Sequence, residues 1–178
     1  MNLQFRRILD LLASLATILV CGYLGWTLFK MNRAQTARVA QTASVGEYHR
    51  DERLPALGGF DYAASPQTLM LIVSSTCHFC TQSMPFYKSL VHSHDSATRV
   101  VFVGREEEDV LRRYVASNGI NDANVQHLSG DNWHIRGTPT AILCDSAGRV
   151  KKQWNGKPTS AAETEIRELV AAHARSGA

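Results

Sequence analysis

Apolar positions in this chain follow two patterns, unbroken runs and helical stripes, and their alternation predicts the order of elements. Residues 68–73, Thr68-Leu69-Met70-Leu71-Ile72-Val73, are an unbroken run of strand length, as a central strand covered on both faces requires. Met84, Tyr87, Leu90 and Val91 then recur at helical spacing, before the polar His92-Ser93-His94-Asp95. Residues 99–103 read as another buried strand. Glu106-Glu107-Glu108-Asp109 suits the positive end of a helix dipole, so this acidic run reads as a solvated first turn rather than a metal site. Val110, Leu111, Tyr114 and Val115 supply the buried stripe of that helix, and Asn118-Gly119 stops it. A short strand is predicted at 125–128. Residues 140–144 and 150–154 flank Asp145-Ser146-Ala147-Gly148, a hairpin pattern. Ser160-Ala161-Ala162-Glu163 reads as a capping box, opening a last helix with Ile166, Leu169 and Val170 as its core stripe.

A run of another kind precedes this domain. Residues 11–29 carry no charged side chain, and helix of that length spans about 28 Å, close to a bilayer core. Their Leu, Ile, Val and Phe residues favour insertion by roughly 3 to 5 kcal/mol. The alternative is a signal peptide cleaved near Ala37 or Ala40, but the run exceeds the usual apolar region of such peptides, which favours an uncleaved anchor. Arg6, Arg7 and the terminal amine on one side nearly balance Lys30, Arg33 and Arg38 on the other, so charge alone does not orient it. Residues 31–46, rich in Ala, Gln, Thr and Arg, read as a tether. The irregular stretch 47–66 contains Pro55, Gly58-Gly59 and Pro66, and its Leu54, Leu57 and Phe60 are predicted to plug one edge of the domain. The resulting division is an anchor at 1–30, a tether at 31–53 and a folded domain at 54–178.

Composition narrows the function. A chain of 178 residues, 44% apolar and 20% charged, holds one globular domain with some to spare. A net charge of +3, without a basic stripe interleaved with aromatics, gives no sign of a nucleic-acid partner. Four cysteines are too few for a disulfide scaffold. Cys21 falls in the apolar run and Cys144 in a predicted strand, leaving one close pair, Cys77 and Cys80.

That pair follows the run at 68–73, in Cys77-His78-Phe79-Cys80. With Cys77 at a helix N-terminus and Cys80 on the first turn, exposed backbone N–H groups favour a thiolate, and the two sulfurs can close a small disulfide. Cys77 is then the exposed nucleophile and Cys80 the resolving thiol. His78 is a candidate for tuning the thiolate, and Phe79 for packing or substrate contact. Far downstream, Gly137-Thr138-Pro139-Thr140 is a candidate cis X-Pro turn. Beside the thiols, Pro139 would keep the site open because it has no N–H, and Thr138 would offer its backbone to an extended peptide.

Strand, Cys-x-x-Cys and helix with Pro85 inside, followed by Gly-Thr-Pro-Thr leading into an apolar strand, resemble the thioredoxin superfamily. The longer interval from Cys77 to Pro139, which leaves room for an extra helix and strand, resembles its membrane-anchored TlpA- and ResA-like branch. The resemblance implies an α/β fold with a mixed central sheet flanked by helices, preceded here by the transmembrane segment. It implies a thiol-disulfide oxidoreductase with Cys77 and Cys80 as the catalytic pair, Thr138 and Pro139 as substrate contacts, and no cofactor or metal. Partners would be proteins with paired cysteines and a redox partner that recycles the dithiol, the membrane being held through residues 11–29. Because substrate disulfides persist outside the cytoplasm, the domain is expected on the periplasmic or equivalent side of the cytoplasmic membrane. The chain departs from the pattern at Thr76, where an aromatic usually precedes the first cysteine, and at Leu71, which matches the buried acid of thioredoxin's strand. The direction of electron flow stays open.

Rival chemistries meet the same residues. Covalent haem attachment needs His where Thr81 stands, and a peroxiredoxin needs Thr where Ser74 stands. A Sco-like copper or other soft-metal chaperone remains the alternative, with Cys77 and Cys80 as ligands completed by His127 or His134, although that family spaces its cysteines by three residues. A docking module with incidental thiols is a third reading.

Overall fold

The computed structural model describes residues 46–92 and 98–176, together with Gly22, Tyr23 and Trp26. The chain divides into two units, Met1–Ser44 and Val45–Ala178. The predicted anchor at 11–29 and most of the tether lie outside the described residues, and among the described residues no helix is long and apolar enough to cross a membrane.

The second unit is built on a five-stranded sheet in the order β3-β2-β1-β4-β5. Its strands are β1 (Gln67–Ile72), β2 (Thr98–Gly104), β3 (Asn124–His127), β4 (Thr140–Asp145) and β5 (Val150–Asn155). β1, β2 and β3 run parallel, whereas β4 and β5 are antiparallel to their neighbours, which makes the sheet mixed. The helices are α1 (His78–His92), α2 (Glu108–Ser117) and α3 (Ser160–Ser176). α1 and α2 are the crossovers that parallel strands require.

Every residue of β1 is buried because the strand is covered on both faces, and period-two alternation divides its side chains between two cores. Leu69 and Leu71, with Phe102, Ala141 and Leu143, join the buried residues of all three helices in one cluster. Met70 and Ile72, with Val101, Val103, Ile142 and Cys144, form the other. Each large apolar side chain buried in this way contributes roughly 1.5–3 kcal/mol.

The second face is covered by irregular chain, where the sequence suggests only an edge plug. Tyr48, Leu54, Leu57 and Trp133 pack there, so the folded unit takes in residues that read as tether. Asp51 N–H donates to the Val150 carbonyl at 2.8 Å, Val150 N–H to Glu52 at 2.8 Å and Leu54 N–H to Gly148 at 2.9 Å, so this segment pairs with the free edge of β5. An apolar triplet in a polar loop reveals that something is covered, but whether it is an edge or a face depends on how many helices lie on that face.

Other expectations shift in register. The cap of α3 is Thr159, not Ser160: the Thr159 hydroxyl accepts from Ala162 N–H at 3.3 Å and its carbonyl from Glu163 N–H at 2.8 Å. The predicted capping box therefore does not form, and Ser160 is the first helical residue. On α2 the buried stripe narrows to Leu111 and Val115, with Val110 37% exposed, since a ten-residue helix on the margin of the sheet turns only one narrow face inward. The hairpin forms as read, with the Asp145 carboxylate accepting from Ala147 and Arg149 N–H groups, each at 2.9 Å, and Gly148 at φ +71°.

Candidate active site

Beyond the C-terminal end of β1 the chain turns through Ser74, Ser75 and Thr76 and enters α1 at Cys77. Cys77 N–H donates to the Ser74 carbonyl at 3.1 Å, which closes the turn. The Cys77 sulfur accepts from Cys80 N–H at 3.2 Å, occupying an orphan donor of the first helical turn as a capping side chain would. Its S–H points across to the Thr138 carbonyl, also 3.2 Å away. Cys77 is half-buried, whereas Cys80 is fully buried in the helix-side core.

The two thiols are thus differentiated. Burial pushes the Cys77 thiol up, but hydrogen bonding from the Cys80 side chain, the contact with Thr138 and the backbone N–H groups of Cys80 and Phe79 outweigh it, and its pKa falls below the ordinary thiol value. Burial pushes Cys80 up, and donation to the Cys77 sulfur adds to the shift. One sulfur is prepared as a thiolate and the other is kept protonated.

Across the site, the Thr138-Pro139 peptide is cis. The turn is held by the Thr140 hydroxyl, which donates to the Gly137 carbonyl at 2.7 Å, and by Gly156 N–H, which donates to the Pro139 carbonyl at 2.8 Å. The Thr138 carbonyl at the start of this turn faces the Cys77 sulfur, and Pro139 follows it across the cis bond. His78 lies on the exposed side of α1. Its Nε2 is 2.7 Å from the Gln82 amide nitrogen, and Gln82 Oε1 accepts from Lys157 Nζ at 3.0 Å. Phe79, 57% exposed, meets the His78 ring edge-on at 5.8 Å.

Glu106 is the residue that sequence reasoning missed. α2 begins at Glu108, and the Glu106 carboxylate turns back to the active-site loop instead of capping a solvated first turn. It accepts from the Ser74 hydroxyl at 2.7 Å, the Ser75 hydroxyl at 3.1 Å and Ser75 N–H at 2.9 and 3.2 Å through its two oxygens. Its carbonyl accepts from His127 Nδ1 at 2.9 Å. The available signal was topological: β1 and β2 are parallel neighbours with Ile72 opposite Val103, so the loops leaving their C-terminal ends must meet.

The histidines named for a metal chaperone are engaged elsewhere. His127 bonds Glu106, while His134 stacks on Tyr48 at 5.0 Å and pairs with Glu52 at 3.4 Å. Among the described residues no group of three or more His, Cys, Asp or Glu is arranged to hold a metal ion. Trp133 is buried in the second core, and Arg136 lines a cleft beside Thr138. Cys144 is a buried core residue whose thiol burial pushes up.

No protein-family model matches the sequence, and no curated protein matches it. Solved structures do match. A thiol:disulfide interchange protein, DsbE, from Chlorobium tepidum is 18% identical over 71% of this chain and 99% of its own, with a TM-score of 0.56. The fold is thioredoxin-like. The thioredoxin domain of a thiol-disulfide oxidoreductase from Bacteroides vulgatus matches 70% of this chain and 99% of its own at 17% identity and TM-score 0.54. A thioredoxin from Neisseria meningitidis matches 68% and 87% at 20% identity and TM-score 0.52. In this thioredoxin-like chain, Pro85 lies inside α1, and Leu71 brings an apolar side chain to the core that holds Cys80.

Proposed function

We propose that the protein is a thiol-disulfide oxidoreductase of the TlpA- and ResA-like kind, anchored through residues 11–29 and acting on cysteines of proteins outside the cytoplasm. The observation that carries the proposal is the asymmetry of the pair: a half-buried Cys77 sulfur receives the Cys80 N–H and abuts the Thr138 carbonyl, with a fully buried Cys80 beneath it. In the reducing direction, the Cys77 thiolate attacks one sulfur of a client disulfide. A Cys77–client disulfide forms, and the other client sulfur leaves as a thiolate. Cys80 then attacks the Cys77 sulfur. The Cys77–Cys80 disulfide forms, the second client sulfur departs, and the proton of Cys80 goes to the departing thiolate. The client gains two electrons and the protein loses two, to be restored by a dithiol partner. The oxidising direction is the same sequence reversed. The membrane tether and the exterior location are supported by the uncharged run at 11–29 and by the persistence of disulfides outside the cytoplasm.

The test is Cys80→Ser in the full chain. With the escape thiol removed, it is expected to accumulate mixed disulfides through Cys77, and Cys77→Ser is expected to trap far less. Equal and negligible trapping by both variants would sink the proposal. A glutathione redox titration then assigns direction, a potential near thioredoxin's marking a reductase and one near the strong oxidants a disulfide donor.

A further inference from the structure

Lys157 joins the two halves of the thiol site. Its backbone is fixed on both sides: Gly156, at φ +80°, donates its N–H to the Pro139 carbonyl at 2.8 Å, and Pro158, whose ring locks φ, is buried. From this turn the ammonium reaches α1 and donates to Gln82 Oε1 at 3.0 Å. An ammonium has donors and no lone pair, so only the carbonyl end of the Gln82 amide can face it. The amide nitrogen, which only donates, then faces His78 Nε2 at 2.7 Å. A proton on Nε2 would set two donors against each other at that distance. Nε2 therefore accepts, and the proton of the neutral ring sits on Nδ1. Each role follows from the one before, beginning at a group that cannot accept. All three side chains are exposed, so these bonds compete with water and the net preference is that of about one hydrogen bond.

The structure assigns Gln82 and Lys157 to the thiol site as positioning residues, which hold His78 with its proton on Nδ1 and its Nε2 lone pair occupied. Beside Cys77 in the chain, the ring is then a hydrogen-bond donor and not the base that takes the thiol proton. The Cys77 sulfur is left to the Cys80 N–H, from which it accepts at 3.2 Å. The inference rests on the exchange reading for its place in the reaction, while the state of the ring is measured without exchange.

Nitrogen NMR spectra of the reduced full chain at mildly alkaline pH, where an ordinary imidazole is neutral, separate the two tautomers, and His78→Gln identifies the His78 signals. The Nδ1–H form is expected to exceed the Nε2–H form by about fivefold, the ratio that one net hydrogen bond supplies. Lys157→Met frees the amide to turn either end to the ring and should bring the ratio towards one, whereas Lys157→Arg, which still only donates, should keep it. In Gln82→Glu the carboxylate still bonds Lys157 but can only accept from the ring, so the proton should move to Nε2. A parent ratio below about twofold overturns the inference, as does a ratio unmoved by Lys157→Met or by Gln82→Glu. Alkylation of Cys77 by iodoacetamide at neutral pH reads the role of the ring. His78→Gln, which carries no base, is expected to keep the parent rate within about threefold; a larger fall would show the ring taking the thiol proton and overturns the inference. Failure of the parent chain to exchange disulfides counts only against the oxidoreductase reading.

Discussion

Replacing Glu106 by Ala removes the acceptor for three donors of the loop that delivers Cys77: the Ser74 hydroxyl, the Ser75 hydroxyl and the Ser75 N–H. A hydrogen bond to a charged group is worth about 1.5–3 kcal/mol net. Ser74 and Ser75 are half-buried, however, so water recovers part of each contact once the carboxylate is gone. The expected cost of Glu106→Ala is therefore about 2–4 kcal/mol in total, and Glu106→Gln, which keeps one acceptor oxygen, is expected to cost about half of that. The damage extends to the nucleophile, because the Ser74 carbonyl that accepts Cys77 N–H belongs to the same loop. Urea unfolding of the reduced full chain, followed by the fluorescence of the buried Trp133, reads the stability term. The rate of Cys77 alkylation by iodoacetamide reads the positional term, and it is expected to fall severalfold in the Ala variant and less in the Gln variant. A loss below about 0.5 kcal/mol, with the alkylation rate unchanged, would refute the assignment of Glu106 as the brace of this loop.

Further outcomes follow from the same geometry. Alkylation of Cys77 is expected to rise with pH and level off below the ordinary thiol range, while Cys80 stays unmodified; comparable rates at both sulfurs would contradict the division of roles. Because the folded-state pKa of Cys77 is depressed, its thiolate contributes stability to the reduced protein above the unfolded-state pKa, and that contribution is lost as pH falls through the folded-state value. His78→Ala is expected to change the reduction potential by less than roughly 30 mV, since the imidazole is exposed and its Nε2 accepts from the Gln82 amide nitrogen. A larger change in the glutathione titration would show a direct His78–sulfur contact. Tyr87→Phe is expected to change stability by no more than about 1 kcal/mol in urea unfolding, because the buried Tyr87 hydroxyl has the Ser83 side chain as a polar neighbour but makes no well-formed hydrogen bond among the described residues; a loss of 2 kcal/mol or more, by the same scale, would reveal one.

Local order dictated much of this molecule before any folding was considered. The apolar run at 68–73 made β1 central, and the spacing of Met84, Tyr87 and Leu90 set the buried face of α1. The Asp145 to Gly148 tetrapeptide made the β4–β5 hairpin, because short-range sterics and side-chain-to-backbone hydrogen bonds act within a few residues. The cysteine pair was legible for the same reason, since its geometry is contained in one turn of helix. What only the tertiary structure decided comes from residues far apart in sequence. Thr138 is brought to the Cys77 sulfur across 61 positions, and Glu106 to Ser75 across 31, by the pairing of β1 with β4 on one side and with β2 on the other. A carboxylate in an acidic run looks the same in sequence whether it faces solvent or braces a catalytic loop. Parallel strand register chose between these for Glu106, and with no α-helix over the second face among the described residues, Tyr48, Leu54 and Leu57 cover the sheet there.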